Sequence, residues 1–219
     1  MSYNMLSSST EKPKGTESGY TVENYTDEIK RLDDMTWYYL STEEKLDLLQ
    51  IIANIESNTL GLSNELNVGA SNLEKDSLDY GTFGTYNDLT HSIIIDIQYL
   101  EQSDSMSCVE LLCHEAYHSY EHDLVRVYQN LNEEDRQLSI FNDAPVYEYE
   151  FDHPIIPDKD YEGYLDQLTE SNARKYARDE MIRYYVLVTD FKGECEPSDD
   201  DIDIGIDIPS ADGERVVKV

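Results

Sequence analysis

Residues 91–130 read HSIIIDIQYLEQSDSMSCVELLCHEAYHSYEHDLVRVYQN, and this stretch decides the fold class. Its first ten residues, 91–100, are rich in isoleucine and alternate between two faces, which predicts a β-strand. Residues 105–130 then carry apolar side chains at helical spacing, which predicts a long amphipathic helix. A strand that leads into helices without a regular β-α repeat indicates an α+β fold.

Two further helices and an irregular segment complete the predicted folded part. Residues 42–56 have the apolar spacing of an amphipathic helix, with Ser41 or Thr42 as its N-cap. Residues 161–188 have the same period and predict a second long helix, whereas residues 131–160 contain three prolines and are expected to be irregular. The 18 tyrosines of the chain indicate that phenol oxygens reach polar partners in the core.

Composition divides the chain into one domain and two polar ends. Residues 1–20 are rich in Ser, Thr, Lys and Gly and are expected to be disordered. Residues 191–219 form an acidic tail that is also expected to be disordered, although the Asp-Ile alternation at 201–208 could instead pair at a sheet edge. Residues 21–190 are expected to form one domain that buries its core without disulfides.

The net charge of the chain indicates which classes of binding partner are expected. The 16 Lys and Arg residues against 47 Asp and Glu residues give a formal net charge of −31. Such a surface repels phosphate backbones and anionic membranes, so neither a nucleic acid nor a membrane is expected as a partner. It attracts basic peptides and metal ions, and it leaves mimicry of nucleic acid open.

Cysteine content and apolar content predict the compartment. The three cysteines leave one thiol over in any pairing, which favours a reducing compartment. No stretch approaches a membrane-spanning length of about 18 apolar residues. The first residues show no secretory signal, so a cytoplasmic location is expected unless a signal has been removed.

Residues 114–118 read HEAYH and form an HExxH motif inside the predicted helix. His114 and His118 lie one turn apart on one helix face, so both imidazoles can point at one ion. Glu115 lies beside them without being a ligand, and its carboxylate could take a proton from a water whose pKa zinc has lowered to about 7. The motif therefore predicts a zinc site, and the alternative is a pair of surface histidines.

Catalytic zinc needs a third protein ligand, and several residues compete for that place. His122 continues the series on the helix, but it lies about 12 Å along a straight axis from His114, too far to share one ion. His153 lies in a Pro-flanked segment that could approach the site, and Glu148 and Glu150 lie in the acidic stretch before it. All of these are weaker candidates than a glutamate of the next helix.

That glutamate is Glu170, on the predicted helix 161–188. It shares an apolar stripe with Ala173 and Ala177, whose small side chains allow a neighbouring helix to approach closely. A carboxylate on an apolar stripe is expected to be paired or metal-bound, because burying it alone is unfavourable. The alternative is a surface ion pair with Arg174, four residues further along the helix.

The combination of these motifs resembles a known group of enzymes. HEAYH on a helix, followed 52 positions later by a helical ESNARKYA, is similar to the zincin-type metallopeptidases with a downstream glutamate ligand, the gluzincin pattern. The GTFGTY turn and the strand after it resemble the sheet that leads into the active-site helix of small bacterial zincins. The chain lacks the NExxSD form of thermolysin-like members.

The resemblance covers residues 35–190 and implies both a fold and an activity. It implies a small twisted sheet packed on the active-site helix and zinc-dependent hydrolysis of peptide bonds in a peptide or protein substrate. It also implies His114, His118 and Glu170 as the zinc ligands and Glu115 as the general base.

Two other hypotheses stand beside a zinc peptidase. The acidity of the chain could make it a decoy that mimics nucleic acid and blocks a basic protein. A zinc ion could also hold two helices together without catalysis. For the peptidase, Tyr147, Tyr149, Tyr176 and His153 are candidate donors to an oxyanion, and Cys113 is expected to be a small buried hydrophobe.

Overall fold

A strand and a long helix are both present within residues 91–130, and they belong to an α+β architecture, as predicted. The computed structural model describes residues 6–7, 19–73 and 83–192. Its helices and strands in chain order are β1 (Leu6–Ser7), α1 (Thr26–Ile29), α2 (Asp34–Trp37), α3 (Thr42–Leu60), β2 (Asn67–Ser71), β3 (Gly84–Asn87), β4 (Ser92–Asp96), α4 (Ile97–Gln102), α5 (Ser105–Gln129), α6 (Ala144–Asp152), α7 (Tyr161–Asp166) and α8 (Leu168–Lys192). Short 3₁₀ segments span Val22–Tyr25, Lys30–Leu32, Asp135–Gln137 and Ser139–Phe141.

The sheet is small and mixed. Its strand order is β1-β2-β4-β3, with β2 parallel to β4, β1 antiparallel to β2, and β3 antiparallel to β4. Ile93 and Ile95 of β4 are fully buried and share one core with Val68 and Ala70 of β2. Within the described part of the chain, β3 pairs with β4 alone and therefore forms an edge of the sheet.

Local capping signals fix the starts of the two helices that the sequence predicts best. Ser41 caps α3 through a capping box with Glu44, which confirms one of the two predicted N-caps. α5 begins at Ser105, as predicted, because the side chain of Asp104 accepts a hydrogen bond from the amide of Ser107.

The strand predicted over residues 91–100 is wrong in its second half. β4 ends at Asp96, whose side chain accepts hydrogen bonds from the amides of Gln98 and Tyr99. An aspartate in this position is a strong N-cap, so it starts α4 where the alternation of apolar residues suggested more strand.

Two predictions between residues 131 and 188 also need correction. The segment 131–160, expected to be irregular, contains α6, which tolerates Pro145 because the first turn of a helix has no partner for that amide. The single helix predicted over 161–188 is two helices, α7 and α8, since the backbone of Gln167 is extended between them (ψ 139°).

α5 packs against α3, α8, α6 and β3, so it lies between the helices and the sheet edge. The carboxylate of Glu56 in α3 is fully buried and links α3 to α8. The hydroxyls of Tyr176 and Tyr184 donate hydrogen bonds to it, the latter at 2.7 Å. This confirms that phenol oxygens reach polar partners in the core.

A second hydrophobic cluster joins the end of α5 to α6 and consists of Leu124, Val125, Phe141, Ala144 and Tyr147.

The predictions for the chain ends fall mostly outside the described residues. Of residues 1–20, the pair Leu6–Ser7 lies against β2, and residues 19–20 precede the first 3₁₀ segment. The tail 191–219, with its Asp-Ile run, lies outside the described residues beyond Lys192.

Within the described ranges, no helix is both long enough and apolar enough to cross a membrane. Cys113 is fully buried, as predicted, and both it and Cys108 are free thiols.

Candidate metal centre

The two histidines of the HExxH motif meet on one face of α5. Nε2 of His114 lies 3.1 Å from Nε2 of His118, and the rings are perpendicular with centroids 4.6 Å apart. Both side chains are largely buried. The spacing of four residues thus directs one nitrogen of each ring toward a common point, as the motif predicts.

α8 brings Glu170 to the same point from a second helix. Its Oε2 lies 3.5 Å from Nε2 of His114, and its Oε1 lies 3.6 Å from Nε2 of His118. Glu170 is 9% exposed, and Ala173 and Ala177 lie almost fully buried on the same stripe of α8. The small side chains allow α8 to pack along α5, and this packing carries the carboxylate to the histidine pair.

Arg174 makes the alternative ion pair at a longer distance. Its Nη1 lies 3.9 Å from Oε2 of Glu170, and its other terminal nitrogen donates to the carbonyl of Leu165. The hydroxyl of Tyr164, on α7, faces the same carboxylate and favours its ionised form. Glu170 therefore faces the histidines and these two donors instead of turning to the surface.

The donor atoms of this cluster fit a small divalent ion. One nitrogen from each histidine and one oxygen of Glu170 lie within 4.8 Å of one another. A tetrahedral zinc site with bonds of about 2.0–2.1 Å separates neighbouring ligand atoms by about 3.3 Å. The separations here are 3.1, 3.5 and 3.6 Å. Two imidazoles and one carboxylate are a donor set of catalytic zinc sites, which keep the fourth position for a non-protein ligand.

Burial and neighbouring charges shift the pKa values of the side chains in the cluster. Burial opposes the charged form of His114, but the hydrogen bond to Glu170 and the charges of Glu115 and Glu170 outweigh it and raise the pKa of His114. Burial and the neighbouring His114 lower the pKa of His118 to about 3. Contacts with both histidines outweigh burial and lower the pKa of Glu170. A cation that binds here competes with a proton for Nε2 of His114.

Glu115 lies beside this donor set without joining it. Its side chain is 6% exposed, and the backbone amide of Tyr86 in β3 faces its carboxylate and favours the ionised form. Burial raises the pKa of Glu115, with a further contribution from Glu170, and the opposing charge of His114 does not cancel the shift. This carboxyl therefore holds a proton more readily than an exposed glutamate does, which suits a group that accepts a proton and then donates it.

The outer nitrogen of His118 is also engaged. Oε2 of Glu121 lies 2.8 Å from Nδ1 of His118, and Glu121 is fully buried. Burial, together with the charges of Glu170 and Glu150, raises the pKa of Glu121 to about 10. Sequence reasoning missed this contact, although Glu121 follows His118 by three residues and so lies on the same helix face.

A cleft of about 440 Å³ opens onto the cluster. The cleft is lined by β3 between Gly84 and Tyr86, by Phe151 of α6 and by Ile155, which follows α6. Gly84 allows β3 to lie close to α5, because a Cβ at this position would come within 3.0–3.1 Å of three side-chain atoms of Leu111. The cleft therefore lies between an exposed strand edge and an apolar wall.

Two histidines that competed for the third ligand position have other partners. His122 lines the cleft, but its ring stacks on Phe151 at 3.9 Å, and its Nδ1 lies 3.9 Å from Oδ2 of Asp88. His153 is exposed, stacks on Tyr149 and directs its Nδ1 to the carbonyl of Tyr149 at 2.9 Å. Neither belongs to the donor cluster.

The two other glutamates that competed for this position are also engaged elsewhere. Glu150 accepts hydrogen bonds from the amides of Leu168 and Thr169, each at 2.9 Å, and thereby caps the start of α8. Glu148 accepts a hydrogen bond from the side chain of Gln129. Glu150 therefore supports Glu170 indirectly, because it fixes the first turn of the helix that carries it.

The tyrosines predicted as oxyanion donors point to other groups. Tyr176 donates to Glu56, Tyr147 accepts a hydrogen bond from Asn172 at 2.6 Å, and Tyr149 is mostly exposed. Tyr164 lines the cleft instead. A helix over residues 161–188 does not predict the approach of Tyr164 to the cluster, because that approach depends on the unpredicted break between α7 and α8.

Comparison of the chain with protein-family models, with curated proteins and with solved structures finds no match.

Proposed function

We propose that this chain is a zinc-dependent peptidase with a zincin-like fold. His114, His118 and Glu170 bind the ion, and Glu115 is the general base. The observation that carries the proposal is the convergence of three donor atoms from two helices, 3.1 to 3.6 Å apart, beside a buried glutamate. The zincin-like assignment is supported by a small sheet beside the HExxH helix and by a second long helix that supplies the carboxylate.

Each residue at the site has its own role in the proposed reaction. A zinc ion held by the three side chains would polarise the scissile carbonyl and lower the pKa of water to about 7. Glu115 accepts the proton of the attacking water and passes it to the leaving amine, because burial has raised the pKa of its carboxyl. Tyr164 is the candidate donor to the oxyanion, since its hydroxyl reaches Glu170 at the cleft.

β3 offers a backbone edge for an extended peptide. The amide of Asp96 donates to the carbonyl of Phe83, and the alternation of an antiparallel pair then turns the backbone groups of Gly84 and Tyr86 away from β4. The Tyr86 amide reaches Glu115, and the remaining outward groups have no strand partner within the described ranges. An extended peptide that pairs with this edge lies along the cleft and passes Glu115, which supports a peptide substrate.

The net charge of −31 supports substrates with basic residues, because an acidic surface attracts and steers them. The free thiols of Cys108 and Cys113 support a reducing compartment such as the cytoplasm. The hypothesis of an acidic decoy gives no role to the donor cluster or to the cleft, so the geometry favours the peptidase.

The test compares Glu115→Gln with the wild type in zinc binding and in cleavage of a mixture of basic peptides. Glu115→Gln keeps the shape of the side chain and all three ligands, so it should bind zinc as the wild type does and lose cleavage by several orders of magnitude. Glu110→Gln removes a carboxylate from the same helix outside the donor set and should retain both properties. A Glu115→Gln variant that cleaves as fast as the wild type refutes the mechanism. A wild-type protein that binds zinc and cleaves nothing indicates an ion that only joins α5 to α8.

A further inference from the structure

Glu121 is an acid buried against one candidate ligand. It lies on α5 three residues after His118, its exposed fraction is 0%, and its Oε2 lies 2.8 Å from Nδ1 of that ring. Its Oε1 is buried without a hydrogen-bond partner among the described residues. Burying a carboxyl group with an unsatisfied oxygen destabilises a fold, so the packing of the core alone does not explain this residue.

The contact acts on the orientation of the ring. His118 is held on both sides, by Glu121 at Nδ1 and by the donor cluster at Nε2, which lies 3.1 Å from His114 and 3.6 Å from Glu170. An imidazole that binds a cation through Nε2 carries its proton on Nδ1, and Oε2 of Glu121 lies where it can accept that hydrogen bond. The same contact restricts rotation of the ring about its Cβ–Cγ bond.

We infer that Glu121 is a positioning residue that holds His118 in the orientation and tautomer needed to bind a cation with His114 and Glu170. The inference rests on the metal site of the proposed function, but it does not require peptidase activity. Carboxylates on the outer nitrogen of a ligating histidine commonly contribute 10–100-fold to metal affinity.

This role predicts a much larger effect on zinc binding than on stability. Glu121→Leu removes a buried acid with an unsatisfied oxygen, but it also leaves Nδ1 of His118 without its partner; these effects oppose each other, so the melting temperature of the zinc-free protein should change little. The same substitution frees the ring of His118, so zinc affinity should fall about 10–100-fold. A residue that only supported the fold would lower both quantities together.

Glu121→Gln separates the hydrogen bond from the charge. Its amide oxygen can still accept from Nδ1 of His118, but the amide cannot ionise and so cannot become negatively charged when a cation binds. Zinc affinity of this variant should therefore lie between those of the wild type and Glu121→Leu. Glu110→Leu is the matched control on the same helix, since Glu110 also has a buried oxygen without a hydrogen-bond partner among the described residues but has no hydrogen bond to either ring in that part of the chain.

The experiment measures the zinc dissociation constant by competition with a chromogenic chelator, and the melting temperature of each zinc-free protein. We expect weak binding in Glu121→Leu, an intermediate value in Glu121→Gln and near wild-type binding in Glu110→Leu, with little change of melting temperature in Glu121→Leu. Equal zinc affinity in the wild type and Glu121→Leu overturns it, and so does equal loss in the Leu and Gln variants, which would indicate charge alone. A wild-type protein that binds zinc in this way but cleaves no peptide refutes the proposed function and leaves the role of Glu121 intact. A wild-type protein that binds no zinc refutes both.

Discussion

Replacing Gly84 by alanine tests whether the cleft needs the close approach of β3 to α5. A Cβ at this position would lie 3.0–3.1 Å from Cγ, Cδ1 and Cδ2 of Leu111. Unstrained carbon atoms lie about 3.5–4.0 Å apart, so the side chain of Leu111 or the strand must move by a few tenths of an ångström. Overpacking of this kind destabilises a fold by about 1–3 kcal/mol. The φ of Gly84 is not positive, so the effect is steric and not a strain of the backbone.

The displacement should reach the proposed general base. Tyr86 lies two residues after Gly84 in β3, and its amide faces Glu115. The proposed zinc ligands lie on α5 and α8, so zinc affinity should change little, whereas kcat should fall roughly tenfold or more, since small misplacements of reacting groups are costly. The assay compares kcat, zinc affinity and melting temperature in the wild type and Gly84→Ala.

A second substitution tests the cause. Leu111→Ala removes the atoms that the new Cβ would meet. In the Leu111→Ala background, Gly84→Ala should therefore destabilise the fold by at least about 1 kcal/mol less than it does in the wild type. Additive losses of stability in the double variant would refute the steric explanation. A Gly84→Ala protein with wild-type stability and wild-type kcat would refute the whole argument.

Three further predictions address the donor cluster, the cap of α8 and a buried acid. Glu170→Ala should lose zinc affinity, and excess zinc should restore part of its peptide cleavage, whereas excess zinc should restore none in Glu115→Gln; equal rescue of both would contradict the division of roles. Glu150→Ala removes the cap of α8 and should lower the free energy of unfolding by about 1 kcal/mol and weaken zinc binding, with calorimetry and chelator competition as the measurements. Burial raises the pKa of Glu56 above its unfolded value, so the folded protein keeps the proton of this carboxyl to higher pH than the unfolded chain does. The stability that this protonated carboxyl contributes is complete below the unfolded pKa, and it is lost as the pH rises through the folded pKa. Zinc-free Glu56→Gln should therefore lose less melting temperature than the wild type between acidic and neutral pH, and parallel melting curves would contradict this.

The parts of the fold that could be predicted are those set by local sequence. The start of α5, its helical period and the convergence of His114 and His118 follow from spacing within one helix. The capping box of Ser41 is equally local. Asp96 carried a readable N-cap signal as well, but the isoleucine alternation around it is a stronger pattern, and so the strand was predicted too long.

The parts that could not be predicted depend on packing between distant elements. The break at Gln167 coincides with the cap that Glu150 provides from α6, and no local pattern contains that contact. The periodicity of α8 indicates that Glu170 lies on its buried stripe, but only the packing of α8 on α5 directs the carboxylate to the histidines. Tyr164 approaches Glu170 for the same reason, since α7 packs against α8 across the break.

Elemental analysis of the purified protein tests the central claim most directly. The account predicts about one zinc per chain in wild-type protein expressed with ample zinc, because three donor atoms converge at distances that suit a tetrahedral ion. His118→Ala and Glu170→Ala, which each remove one donor, should lose most of that zinc, whereas Glu110→Gln should retain it. Wild-type protein without zinc, or His118→Ala and Glu170→Ala variants that both retain it in full, would contradict the metal centre and the function proposed for it.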